Sequence, residues 1–279
     1  MTIAANMIED SVAFHGKRIS TLQLKYPRFI HAELMTHRVF SRNASSSRAI
    51  PVAKMIEQVR TEPAMPIHWG KNQPGMQAHE ELTGRDRRLA QDLWLTAAQE
   101  AAETAAMMNA AGAHKQVVNR ILEPFLHISV IVTATEFDNW NSLRAHKDAQ
   151  PEIYQLAMEM LDARRHSSPV ERHRDRQLTS SWHLPYVTAE ERAAHPEDPL
   201  HLAKLSAARC ARVSYLTHDG RTPNADEDLA LYERLVGSRP LHASPIEHQA
   251  YPLPLATQRS NNFVGWRQHR EIIESTFTH

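Results

Sequence analysis

Apolar and polar positions alternate loosely over residues 18–25, RISTLQLK, and predict a strand. Pro27 follows where a helix can open, since the first helical position needs no N–H. In residues 28–38, RFIHAELMTHR, Ile30, Leu34 and His37 share one side at mixed helical spacing, and a helix is expected there. Residues 61–75, TEPAMPIHWGKNQPG, read as loop from their Pro and Gly content. A long helix is expected over 86–111, with Leu89, Leu93, Ala97, Ala101, Ala105 and Met108 as its apolar stripe and Gly112 as its stop. A second helix over 114–122 ends before Pro124, and the β-branched run 125–135 predicts a strand. A third helix covers 151–165 with Pro151 at its start. Residues 166–200 hold no sustained period and are expected as a connector, with a short helix near Ala189–Ala193. Helical segments resume at 201–215 and 226–237, separated by the turn-rich 217–225. No repeat or low-complexity tract interrupts this order.

The bulk numbers narrow the class without fixing it. Of 279 residues, 42% are hydrophobic and 23% charged, as in an ordinary globular chain. No apolar run approaches the roughly 20 residues of a membrane helix. The first residues carry acidic groups and no basic leader, so no signal peptide and a cytoplasmic location are expected. The one cysteine, Cys210, excludes a disulfide framework and a cysteine-rich zinc site. The formal net charge of zero argues against a stable nucleic-acid partner held by a basic surface. With eight glycines and neither G-x-G-x-x-G nor a P-loop, a Rossmann fold is not expected.

The candidate chemistry lies in three clusters. THRVFSRNASSSRAIP, residues 36–51, packs three arginines, a histidine, an asparagine and four serines into sixteen positions. Such donors suit an anion, because a charge-assisted hydrogen bond contributes about 1.5–3 kcal/mol. On composition alone, a polar capping loop with solvated arginines fits better. NSLRAHKDAQPEI, 141–153, places Arg144 just before a helix that opens with proline. LHASPIEH, 241–248, has two histidines and a glutamate, but H-x5-H is not a helix-face ligand pair, and no metal site is expected.

Taken together, these segments resemble the flavin-dependent thymidylate synthases. THRVFSRNASSSRA matches that family's R-H-R-x7-S signature at His37, Arg38 and Ser46, with Ser41, Asn43 and Arg48 in register. NSLRAHKDAQPEI is similar to L-R-x4-A-Q-x-E-I, HKQVVNRILEP to A-R-x-x-L-P at Arg120, AARCARVSY to A-A-R-V-S-Y, and HASPIEH to H-x-S-P-F-E-H. In the family the last two precede the signature; here they follow everything else. Their order suggests a circular permutation, with a signature half at 1–165, the old termini joined through 166–200, and a permuted half at 201–279 within one domain.

The resemblance implies an α+β fold, a mixed or antiparallel sheet flanked by helices, in a homotetramer with shared active sites. It implies FAD as cofactor, NADPH as reductant, methylenetetrahydrofolate as carbon donor, and a pyrimidine deoxynucleotide monophosphate, dUMP by default, as substrate. By position, His37, Arg38, Asn43, Asn139, Ser214, Ser244 and Glu247 would contact FAD. Ser46, Arg48, Arg120 and Arg144 would hold the nucleotide, with Ser46 and Arg144 nearest the chemistry. Cys210 is expected as a buried small residue rather than a nucleophile.

The signature is degenerate. Thr36, Ala44 and Ala49 replace its first arginine, its glutamate and its tyrosine. Glu33 replaces a usual glutamine and would repel a phosphate unless Arg48 or Arg120 compensates. Thr133 and Thr135 stand where Asn and Arg often lie near the flavin. These changes leave open hydroxymethyl transfer, another nucleotide such as dCMP, or a non-catalytic flavin- or nucleotide-binding member. For residues 260–279, the expectation is an amphipathic tail helix against a neighbouring subunit; Trp266, Arg267 and Arg270 clamping a ligand is the alternative.

Overall fold

The structure of the protein, a computed structural model, describes residues 3–213, 222, 224–237 and 240–276. Strand β1 (Ala4–Ala13) turns back into β2 (Arg18–Pro27), the strand that the alternation at 18–25 predicts. With β3 (Ser41–Ala44), β4 (His127–Ala134) and β5 (Val170–Arg172) they form a five-stranded sheet in the order β3-β4-β2-β1-β5. Neighbours run antiparallel except β1 and β5, so the sheet is mixed. Helices flank it, and the expected α+β class holds.

The register gives the sheet two chemically different faces. Leu22, Leu24 and Tyr26 of β2 pair with Val132, Val130 and Ile128 of β4. Their side chains are buried against Trp140 of α5 (Asp138–Arg144) and Ile153, Leu156 and Met160 of α6 (Pro151–His166). Each such side chain removed from water contributes about 1.5–3 kcal/mol. On the opposite face the pairs are polar: Thr21 with Thr133, Gln23 beside Ile131, and Ser41 and Asn43 alongside on β3. Buried polar groups require partners, and residues 183–268 supply them. Thr21 meets His183 Nε2 at 2.7 Å and Thr133 meets His248 Nδ1 at 2.8 Å. Gln23 donates to Val213 O at 2.8 Å, and Gln268 donates to Ser41 Oγ at 3.0 Å. The chain after residue 180 is thus docked on the sheet by side-chain hydrogen bonds as well as by apolar contact.

Around this frame lie α1 (His31–Leu34), α2 (Val52–Thr61), α3 (Gly84–Ala110), α4 (Lys115–Val118), α7 (Ala189–Ala194), α8 (Pro199–Arg212), α9 (Ala225–Val236) and α10 (His269–Ser275). Short strands β6 (Ala250–Pro252) and β9 (Trp266–Gln268) pair, as do β7 (Arg259–Ser260) and β8 (Phe263–Val264). Among the described residues no helix is long and apolar enough to cross a membrane.

Several elements differ from their expectation for local reasons. The helix expected over 28–38 shrinks to a 3-10 turn at Arg28–Ile30 and the four residues of α1. Pro27 continues the strand opposite His127, and Arg42 Nη1 takes up the carbonyls of Met35 (2.8 Å) and His37 (3.1 Å) that a longer helix would have used. In α3 the buried residues are Ala98, Ala102 and Ala105, whereas Leu89 and Leu93 are exposed. The ten residues of α2 cover only part of the 27 of α3, and the core they build together takes in Ala98, Ala102 and Ala105 but not Leu89 or Leu93. Gly112, at φ +84°, ends α3 as expected: its N–H meets Asn109 O and that of Ala113 meets Met108 O, both at 3.0 Å. The helix expected over 114–122 is four α residues followed by a 3-10 turn through Pro124.

The segment 166–200 does more than connect. Along with the expected short helix, α7, it contributes β5 and the buried Trp182, Leu184 and Tyr186. At the C-terminus, Trp266 is fully buried among Ala13, Ile19, Ala250 and Phe263, and its Nε1 donates to Lys17 O at 3.1 Å. That burial removes Trp266 from any ligand clamp.

Candidate active site

The Ser-rich loop after β3 is held by one buried hydroxyl. Ser47 Oγ donates to Glu123 Oε1 at 2.7 Å, and Asn119 Nδ2 donates to the carbonyls of Ser47 (2.7 Å) and Ile50 (3.1 Å). Glu123 also receives Arg28 Nη2 and Arg120 Nη1, each at 3.0 Å. With Ser47 fixed inward, its neighbours Ser46 and Arg48 are exposed and line a cleft of about 870 Å³.

The far wall of that cleft comes from the other end of the chain. Ala211 and Arg212 close α8, Leu231 and Arg234 belong to α9, and His242 and Pro245 follow. Asn43 ties the walls together. Its Nδ2 donates to Cys210 O (2.8 Å) and Ala211 O (3.1 Å), and its Oδ1 accepts from Ser244 Oγ at 2.9 Å. Beside it, α8 ends on Val213 in a left-handed conformation, φ +56° and ψ +29°. That geometry costs a β-branched residue about 1–3 kcal/mol. The cost is borne next to the cleft wall, where Gln23 holds the Val213 carbonyl.

Buried charge fixes α9 relative to α8. Arg209 Nε donates to Asp228 Oδ2 at 2.8 Å, and its terminal nitrogens reach Glu191 Oε1 (2.5 Å) and Oε2 (2.7 Å). Arg212 pairs with the other Asp228 oxygen. Burial pulls the Glu191 carboxyl upward, but the hydrogen bonds from Arg209 and the Thr188 backbone outweigh it and leave the group below its ordinary range.

Arg144 and His37 form a separate cluster. Arg144 Nε donates to His37 Nε2 at 3.1 Å, and Arg144 Nη1 lies 3.4 Å from Glu33 Oε2. His37 is buried edge-on to Trp140, with ring centroids 4.7 Å apart. Burial, then the Arg144 and Arg42 charges, push His37 below its ordinary pKa and keep it neutral. The Glu33 charge is therefore answered by Arg144, not by Arg48 or Arg120, and Arg120 is turned to Glu123 instead.

The structure thus brings Asn43, Ser46 and Arg48 to one cleft, with Ser244 hydrogen-bonded to Asn43, and His37 and Arg144 to one another. Arg144 does not line the cleft. Arg38 is exposed beside His37, and Asn139 is exposed on α5. Glu247 accepts from Arg270 Nη1 at 2.6 Å. Ser214 lies outside the described residues. Thr133 and Thr135 face inward, the latter accepting from Val264 N at 3.0 Å. Cys210 is buried as expected, and burial pushes its thiol far above the ordinary range. Sequence reading missed Arg28, Glu123, Arg234 and Asp228. Arg28 stood in an expected helix, and Arg234 and Asp228 carry no motif. Glu123, beside Pro124, gave only a helix-end signal.

The fold and this cleft describe an α+β protein in which segments distant in the chain meet around one concavity. The profile of the thymidylate synthase complementing protein family, Thy1, matches residues 18–170, and the chain belongs to that family. Comparison with curated proteins yields no match. Among solved structures, the chain is similar to a UMP/dUMP methylase, PolB from Streptomyces cacaoi, bound with 5-Br UMP. That match has 17% identity, a TM-score of 0.47, and covers 58% of this chain and 87% of the other. The same protein bound with 5-Br dUMP gives 16% identity, a TM-score of 0.47, and coverage of 58% and 89%. At that similarity neither structure bears on the reaction of this chain.

Proposed function

We propose that the protein is a flavin-dependent enzyme methylating C5 of a pyrimidine deoxynucleotide monophosphate. The default reaction is dUMP to dTMP, with methylenetetrahydrofolate as carbon donor and NADPH as reductant. The observation that carries this reading is the shared cleft, where Asn43, Ser46 and Arg48 face Ala211, Arg212 and Pro245. Arg48 and Arg234 make no ion pair with a described residue, and with the Ser45 and Ser46 hydroxyls they offer phosphate donors. Ala230, Leu231 and Leu235 give an apolar wall for a planar ring. This donor set fits a nucleotide and equally the phosphate and ring of FAD, which supplies the electron transfer when bound.

In this reading Ser46 and Arg48 hold the nucleotide phosphate, and Arg120, paired here with Glu123 at 3.0 Å, leaves that carboxylate to join them. Arg144 sits near the pyrimidine, where a fixed cation stabilises developing negative charge. His37, Arg38, Asn139, Ser214, Ser244 and Glu247 face the flavin. Asn43, its amide already engaged by Ser244 and α8, acts by holding the wall. Arg144 and the cleft are brought to one site by a second copy, in a homotetramer with shared sites. The motif order reflects circular permutation of a single domain over 1–279, active in the cytoplasm.

The test is product analysis. FAD-loaded protein is reduced anaerobically by NADPH, then given methylenetetrahydrofolate with dUMP or dCMP. A product heavier than dUMP by one methylene unit supports the reading. A hydroxymethylated product, or turnover of dCMP alone, replaces it with the corresponding alternative. Colourless protein that takes up no FAD leaves a non-catalytic nucleotide binder.

A further inference from the structure

A second pair of hollows lies wholly outside the segment 18–170. One of about 750 Å³ and one of about 330 Å³ share Arg176, Tyr251 and Arg267 in their walls. The smaller adds Arg174 and the apolar rim Pro252–Leu253–Pro254, and no carboxylate lines it. Three guanidinium groups therefore border one concavity in a chain of zero net charge. Arg174 and Arg176 are exposed and make no ion pair with a described residue. Arg267 Nη1 is bridged to Glu271 at 3.0 Å, but its Nε is buried with no hydrogen-bond partner.

The larger hollow has a different lining. Trp182 packs on Tyr251 with ring centroids 4.9 Å apart, and Leu178, Leu200 and Ile272 extend the apolar surface. Asp175 and Glu197 stand at its edge as acceptors. Clustered arginines at one end favour a compact polyanion, which they grip bidentately. Aromatic faces with carboxylate acceptors at the other end favour a flat heterocycle bearing amino groups.

We propose that this double hollow binds a nucleoside polyphosphate, its phosphates on Arg174, Arg176 and Arg267 and its amino-bearing base between Tyr251 and the acidic edge. The site is separate from the cleft at Arg48 and does not rest on the methylation reading. Calorimetric titration of the full chain with dATP, dCTP and inorganic triphosphate tests it. One of the two nucleotides binds, and more tightly than triphosphate alone. The exposed-loop variant Arg174→Ala/Arg176→Ala weakens that binding at least tenfold, while Arg48→Ala leaves it within twofold. Two outcomes overturn the proposal: neither nucleotide binds, or binding survives in the double variant and is lost in Arg48→Ala. Triphosphate binding as tightly as either nucleotide overturns the base-recognition half and leaves a bare polyanion site.

Discussion

Ser244 donates its hydroxyl proton to the Asn43 amide oxygen over 2.9 Å, although 201 positions separate them in the chain. The same amide reaches back to two carbonyls at the end of α8. One side chain therefore joins three segments that build the cleft, and its geometry is set by β3, which places Asn43 on the polar face of the sheet beside Ile131.

Removing that junction has a readable cost. Each net hydrogen bond contributes about 0.5–1.5 kcal/mol. Asn43→Ala therefore destabilises by about 2–4 kcal/mol, because two α8 carbonyls also lose their donor, and Ser244→Ala by about 1 kcal/mol. In a double-mutant cycle by denaturant titration the two are non-additive, with a coupling of about 1 kcal/mol. Strict additivity contradicts the junction.

Asp228 compensates two arginines at once while fully buried. Asp228→Ala removes the buried carboxylate from Arg212, leaves Arg209 its pairing with Glu191, and costs about 3–5 kcal/mol. Asp228→Asn, which retains an acceptor, costs less. Thermal unfolding of the two variants orders them, and an Asp228→Asn variant as stable as the wild type would contradict an ionic role for the carboxylate.

Acid should loosen the protein before its carboxylates protonate. Burial holds His248 down to about 3 and His269 down to about 4, and holds His183 well below its ordinary value. All three are depressed in the folded state, so the unfolded chain binds more protons below about pH 6.5. The stability associated with their neutral forms is complete above that pH and is lost as pH falls toward the folded values. The slope is about 1.4 kcal/mol per pH unit for each histidine in its window. The midpoint of thermal unfolding falls between pH 7 and pH 5, and His248→Gln lessens the fall. A flat profile over that range contradicts the burial of these rings.

Glu33 restrains Arg144, to which it lies 3.4 Å away. Arg144→Ala lowers turnover by about 10²-fold or more, the scale for losing one charge-stabilising group, with the unfolding midpoint little changed. Glu33→Gln leaves Arg144 its contact with His37, frees its charge, and raises dUMP affinity several-fold by equilibrium titration. Unchanged turnover in Arg144→Ala would remove it from the chemistry.

What the sequence disclosed and withheld follows from interaction range. Strand β2 and helices α6 and α8 were legible because their periodicity, and the proline that opens α6, act locally. Strand β3 was hidden inside the Ser- and Arg-rich stretch, because its four residues pair only through β4, some 90 positions later. The stripe of α3 was misplaced because burial there depends on how far α2 reaches, not on the helix itself. Of the site, the motif residues Asn43, Ser46, Arg48 and Ser244 were legible by resemblance. Arg234 and Asp228 were not, since an ordinary amphipathic helix such as α9 gives no sign of which of its charges faces a cleft and which is buried against a neighbouring helix.

Under the proposed function, the cleft walled by Arg48 and Arg234 receives the nucleotide against the flavin. Titration of dUMP into FAD-loaded protein, followed through the flavin absorbance, tests this most directly. A saturable shift is expected in the wild type, weakened at least tenfold in Arg48→Ala and further in Arg48→Ala/Arg234→Ala, with FAD still bound. An identical dUMP response in the double variant would contradict it.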